Sequence, residues 1–118
     1  MEASLEQKDI LSNKKLLNTI KDYARLFNTQ ESCGLIIEKS SSVSFIECEN
    51  LSENPKYHFK IDPKIFIENK VLYVYHSHVD CTANPSSQDM LYSNELCVPF
   101  LIYSIRDDEF KIYKNISV

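Results

Sequence analysis

The apolar run Val71 to Tyr75, VLYVY, passes without a break into His76-Ser77-His78, and this junction constrains the chain more than any other stretch. Apolar and aromatic residues in a run of this length make a buried strand. Side chains at i and i+2 of an extended chain share one face, so His76 and His78 point the same way and Ser77 points opposite. That geometry suits one metal ion. Divalent zinc in a catalytic site takes three imidazole or carboxylate ligands at roughly 2.0 to 2.2 Å and keeps one position for water. Asp89 meets that count provided it folds back over the strand end. Pro85 and Ser86 offer the means, since Ser86 is a good N-cap for a helix running to about Asn94 with Asp89 in its first turn. The same Ser86-x-x-Asp89 spacing is a capping-box pattern, and an HxH pair alone arises by coincidence. Found together at this spacing, the two favour the metal.

At 118 residues the expectation is a single domain, 1–118, able to bury most of the surface it exposes when unfolded. A net charge of −4 and a pI near 5.3 argue against nucleic acid or an anionic membrane as partner, because both need a concentrated basic surface. The first ten residues, MEASLEQKDI, are polar where a secretory signal is apolar, and no apolar run reaches bilayer length. The expectation is a soluble, cytoplasmic protein. Cys33, Cys48, Cys81 and Cys97 are widely spaced with no CxxC pair, so reduced and mostly buried thiols are expected. A cysteine zinc site using Cys81 or Cys33 is less economical, because two histidines and a carboxylate already complete a ligand set.

From Asp9 to Phe27, Leu16, Leu17, Ile20, Tyr23, Ala24 and Phe27 recur at helical intervals, with Ser12 or Asp9 as cap and Asn28-Thr29 as the end. Cys33 to Glu38 reads as a first strand containing Gly34, the one glycine of the chain, where a close approach of neighbours is expected. Lys39 to Ser42 is a polar turn, and Val43 to Glu49 is the hairpin partner. Asn50 to Lys56 is a loop, Tyr57 to Ile61 a short strand, and Asp62-Pro63 opens a helix to about Asn69 with aspartate as N-cap and proline at the first helical position. Pro99 to Ile105 and Phe110 to Ile116 are strands joined by an acidic turn. The sum is an α/β domain, a mixed sheet flanked by helices.

His76-Ser77-His78, seven residues and then Ser86-x-x-Asp89 match position for position the HxH-x7-SxxD signature of the JAMM (MPN-plus) zinc metalloproteases. The chain resembles that family from about Leu16 to Ile112. The family also carries a glutamate near the start of the first core strand, and Glu31 is similar in place. The resemblance implies a curved, partly closed mixed sheet flanked by helices, the MPN or cytidine deaminase-like fold. It implies that His76, His78 and Asp89 hold Zn2+, which lowers the pKa of its bound water to about 7. Glu31 would shuttle a proton, an effect worth about a hundredfold to ten-thousandfold. Ser86 would donate to the oxyanion, a contact whose loss costs roughly 3 to 4 kcal/mol.

The order YHFKIDP, short helix, then the strand into HSH is similar to the metalloprotease domain of phage tail-assembly proteins of the lambda K type, in the prokaryotic JAB-type group. The implied partners are a peptide or protein substrate, with phage tail proteins or a ubiquitin-like protein among them. The implied location is host cytoplasm or virion tail.

Two departures stand out. Val79 replaces the proline that commonly follows the second histidine, which bears on loop rigidity more than on metal binding. The inserted segments with which relatives grip ubiquitin are missing, which disfavours deubiquitination. Other polar residues have plainer readings: Ser77 as a hydrogen-bonding support, His58 as a strand residue or substrate-side contact, and Asp80 as too close to His78 to replace Asp89. A solvated carboxylate is the ordinary state of a glutamate such as Glu31. The functional expectation is a zinc metallopeptidase or isopeptidase, and the alternative is a non-catalytic MPN-type assembly scaffold.

Overall fold

The computed structural model describes residues 10–115. A 3-10 turn, Ile10–Ser12, leads into helix α1, Lys14–Leu26. Strands β1 (Cys33–Lys39) and β2 (Ser42–Cys48) form a hairpin, and a long irregular segment then reaches the short helix α2 (Lys64–Glu68). Strand β3 (Lys70–His78), helix α3 (Ser87–Leu96) and strands β4 (Phe100–Ser104) and β5 (Glu109–Tyr113) complete the order.

The five strands make one sheet in the order β2-β1-β3-β4-β5. Strands β3 and β4 run parallel and the other neighbours antiparallel. The α/β reading and the mixed sheet flanked by helices therefore hold. The apolar run is the central strand, and its alternation sorts the core into two layers. Tyr73 and Tyr75 pack with Ile20, Tyr23 and Ala24 of α1 on one face. Val74 packs with Leu35, Phe100 and Ile102 on the other, against Phe59, Ile61 and the α3 side. His76 and His78 follow Val74 in step, so both imidazoles emerge on the α3 face, as the two-residue period requires.

Several boundaries differ from the sequence reading, each for a local reason. Helix α1 is capped by Asn13, whose Oδ1 accepts from Leu16 N–H at 3.1 Å, in place of Ser12; Asp9 lies outside the described residues. In α2, Pro63 is the flanking residue and the helix begins one position later, while Asp62 Oδ1 accepts from Lys64 N–H at 3.0 Å. Strand β2 runs from Ser42 to Cys48, one residue earlier than expected at each end, and β5 runs from Glu109 to Tyr113. Ile116, the expected end of β5, lies outside the described residues. In the turn between β1 and β2, Ser40 and Ser41 have φ of 53° and 65°, the pair of positive values that a type I′ hairpin needs.

The expected strand Tyr57 to Ile61 is absent. Phe59 and Ile61 are buried and their neighbours are exposed, which is the alternation that suggested a strand. The backbone bonds go elsewhere: Lys60 N–H donates to the Asn50 side chain and Ile61 N–H to the Tyr92 hydroxyl.

Gly34 behaves as expected. A Cβ there would strike Ile46 O and come within 2.6 Å of the Phe45 ring, so β1 and β2 close only over glycine. The thiols depart from expectation: all four are free, but Cys81 and Cys97 are exposed and only Cys33 is fully buried. No helix among the described residues is long and apolar enough to cross a membrane.

Candidate metal centre

The end of β3 and the first turn of α3 meet at three side chains. His76 Nε2 lies 3.2 Å from Asp89 Oδ1, His78 Nε2 lies 3.0 Å from Asp89 Oδ2, and the two Nε2 atoms are 3.3 Å apart. All three residues are buried. Asp89 reaches them because Ser86 caps α3 in a full capping box: Ser86 Oγ accepts from Asp89 N–H at 3.0 Å and Asp89 Oδ2 accepts from Ser86 N–H at 2.9 Å. The capping-box reading of Ser86-x-x-Asp89 thus holds, and the same carboxylate stands in the cluster with the two histidines.

Proton placement makes this cluster compatible with a cation. His78 Nδ1 lies 2.7 Å from Thr82 O, and a carbonyl only accepts, so Nδ1 carries the proton. Nε2 is then the ring nitrogen turned toward Asp89 Oδ2 and His76 Nε2, as a lone pair when the ring is neutral and as an N–H when it is charged. Three lone-pair atoms facing one another repel unless a proton or a cation lies among them. The spacing fits a cation: two ligands held at 2.0 to 2.1 Å in a tetrahedron stand about 3.3 Å apart. His76, His78 and Asp89 form a cluster able to hold a metal ion, with candidate ligand atoms all within 4.8 Å of one another.

Burial and charge tune the groups unequally. Burial pulls the His76 pKa down, against the raising effect of its hydrogen bond to Asp89. Burial also pulls on His78, but the Asp89 hydrogen bond, the Thr82 carbonyl and the charges of Asp89 and Glu31 outweigh it and raise its pKa. Asp89 is opposed by burial and still held far below the usual carboxylate range by the hydrogen bonds from both histidines and from Ser86 N–H.

Glu31 sits just before β1. Cys33 pairs with His76, and the register continued backwards sets Glu31 opposite His78. Its carboxyl is buried, and that burial raises its pKa to about 8, with His78 lowering it and Asp89 raising it. Glu31 Oε1 and His76 Nδ1 are both buried without a hydrogen-bond partner in the protein. Ser86 Oγ is engaged as an acceptor, which leaves its own proton to donate outward from an exposed position.

Behind the cluster, Ser77 points to the α1 face as expected. Its Oγ accepts from Ser32 N–H at 2.8 Å and from Ser32 Oγ at 3.1 Å, and Ser32 Oγ shares a 2.7 Å hydrogen bond with the Tyr75 hydroxyl. Asp80 and His58 are exposed and stand outside the cluster, as do Cys33 and Cys81. The sequence reading missed Phe59, whose ring stacks on His76 at 4.3 Å and 17°. No motif marked it, since its alternation signalled only burial. Also missed was a groove of about 530 Å³ that opens at Asp89, between the 51–60 segment (Leu51, His58, Lys60) and the outer face of α3 (Leu91, Tyr92, Glu95).

Residues 13–115 match the family described as prokaryotic homologs of the JAB domain. The chain belongs to that family. It is also 30% identical over 95 residues to tail tip assembly protein K of Escherichia phage N15, an alignment that covers 77% of this chain and 39% of that protein. The JAB-type chain thus spans about two fifths of that relative's length. In fold it is similar to a JAB1/MPN domain protein from Archaeoglobus fulgidus, with a TM-score of 0.60 and 22% identity over 84% of this chain and 83% of that one. A protein from Desulfitobacterium hafniense known from its solution structure gives the same TM-score of 0.60 and 22% identity, over 86% and 87% of the two chains.

Proposed function

We propose that this JAB-type domain is a zinc-dependent metallopeptidase or isopeptidase that hydrolyses an amide bond. The observation that carries the reading is the convergence of two imidazole Nε2 atoms and one carboxylate, 3.0 to 3.3 Å apart, with His78 Nδ1 tied to Thr82 O so that Nε2 is the nitrogen turned into the cluster. In this reading His76, His78 and Asp89 are the metal ligands. A bound zinc ion supplies Lewis acidity and a water nucleophile active near neutral pH.

The chain's own groups do the rest. Glu31, with a buried oxygen that no protein group engages, takes the proton from the attacking water and returns it to the leaving amine. Burial alone holds it protonated at neutral pH, and a neighbouring cation favours its ionised, basic form. Ser86 donates its free hydroxyl proton to the developing oxyanion. The groove at Asp89 receives the peptide or protein substrate. The phage relative named for tail tip assembly supports a tail protein as substrate or partner, and a place in host cytoplasm or virion tail.

The same relationship favours a second reading, a non-catalytic scaffold for tail assembly. Glu31→Gln separates the two: it is expected to keep the metal and lose turnover on a cleaved peptide by a hundredfold or more, within the range for a lost acid-base group of about a hundredfold to ten-thousandfold. Equal turnover in the variant removes Glu31 from the reaction. A wild-type chain that neither holds zinc nor cleaves leaves the scaffold.

A further inference from the structure

The side-chain amide of Asn50, two residues past the end of β2, uses all of its hydrogen-bonding capacity. Its Oδ1 accepts from Ser52 N–H at 3.0 Å and from Lys60 N–H at 3.2 Å. Its Nδ2 donates to Glu31 O at 2.9 Å and to His58 O at 3.0 Å, with a longer contact of 3.5 Å to Pro55 O. Two N–H groups on one side and carbonyls on the other leave the amide a single orientation. No other side chain of this size offers two donors and two acceptors. Aspartate would set a negative oxygen against two carbonyls, and alanine would strip four bonds from the loop.

What this amide holds is the main chain of Glu31. The β1–β2 register continued past Cys33 and Cys48 sets Asn50 opposite Glu31, at the point where β2 has left the sheet. Glu31 then bonds to the loop on both sides, its N–H donating to Pro55 O at 2.7 Å and its carbonyl accepting from Asn50. The next residue, Ser32, is held by β3 through Ser77 instead. The same loop carries Phe59 onto the face of His76. One amide therefore sets the backbone of the proposed proton shuttle and supports the ring of a proposed ligand.

We propose that Asn50 is a positioning residue: its amide locks the Glu31 main chain and the 51–60 loop into one unit, and so aims the Glu31 carboxyl at the metal centre. This role rests on the hydrolase reading, whereas the lock itself does not. Two variants of the zinc-loaded full chain separate them. Asn50→Ala is expected to speed amide exchange at Ser52 and Lys60 by about tenfold or more. Asn50→Asp keeps both accepted bonds and loses both donated ones, so it tests the link to Glu31. Its zinc content is expected to stay at the wild-type level. On a quenched-fluorescent peptide drawn from a library that the wild type cleaves, its kcat falls about tenfold to a hundredfold, with KM within about threefold. Ile20→Val, a core change in α1, serves as the control for lost stability and keeps kcat. Unchanged exchange in Asn50→Ala overturns the lock whether or not the chain is a hydrolase. A wild-type kcat in Asn50→Asp overturns the link to Glu31. A wild-type chain that binds zinc and cleaves no peptide overturns the hydrolase reading and the positioning role, while the exchange result still decides the lock.

Discussion

Ser86 and Asp89 exchange two hydrogen bonds, 3.0 Å from Asp89 N–H to Ser86 Oγ and 2.9 Å from Ser86 N–H to Asp89 Oδ2. The carboxylate that closes the first turn of α3 is therefore the one that stands 3.0 Å from His78. Helix capping orients the candidate ligand, and the position of α3 relative to β3 sets the size of the cluster.

Asp89→Asn separates the two duties. An asparagine oxygen still accepts from Ser86 N–H, so the cap survives and the thermal midpoint shifts little. The charge that balances a divalent cation is gone. Changes in residues behind a metal ligand already lower affinity by about tenfold to a hundredfold, so loss of a ligand is expected to reach at least the upper end. Titration of zinc into chelator-stripped protein checks this, and wild-type affinity in the variant excludes Asp89 as a ligand.

Acid and base each weaken the metal-free protein, through different groups. Asp89 has a depressed pKa, so the stability it contributes is present above its unfolded value near 3.8 and is lost as pH falls through the depressed one. Glu31 has a raised pKa of about 8, so its contribution is full below about 4.5 and disappears as pH rises through 8. His78, also raised, acts in the same direction as Glu31. His76, with its lowered pKa, acts the other way up to its unfolded value near 6.5, so urea unfolding of stripped protein from pH 6.5 to 8 is expected to show falling stability, with a shallower slope in Glu31→Gln. An unchanged slope in that variant contradicts the buried neutral carboxyl.

Ser77 braces β1 against β3 from the side away from the histidine–aspartate cluster. Ser77→Ala leaves the buried Ser32 N–H without its acceptor, and such a loss costs about 1 to 3 kcal/mol. Chemical denaturation measures it, and a variant as stable as wild type means that Ser32 finds another partner.

What the sequence made legible was local. The two-residue period of a strand put His76 and His78 on one face, and a capping box put Asp89 in the first turn of a helix, so three members of the cluster could be read from spacing. Glu31 was reached through the family resemblance, because its place opposite His78 depends on strand pairing that spacing does not encode. The 50–61 segment was misread at Tyr57 to Ile61 because burial there alternates as in a strand, while its backbone bonds to the Asn50 amide and the Tyr92 hydroxyl. The stacking of Phe59 on His76 was hidden for the same reason. Bonds made by side chains across long sequence separations leave no period to detect.

The central claim is that His76, His78 and Asp89 together hold one divalent cation. Metal content of the full chain, purified without added zinc or chelator, tests it most directly. About one zinc per chain, lost in His78→Ala, is the expected result for a three-ligand site. Less than about half a zinc per chain, or equal zinc in His78→Ala, contradicts the site and leaves assembly as the domain's role.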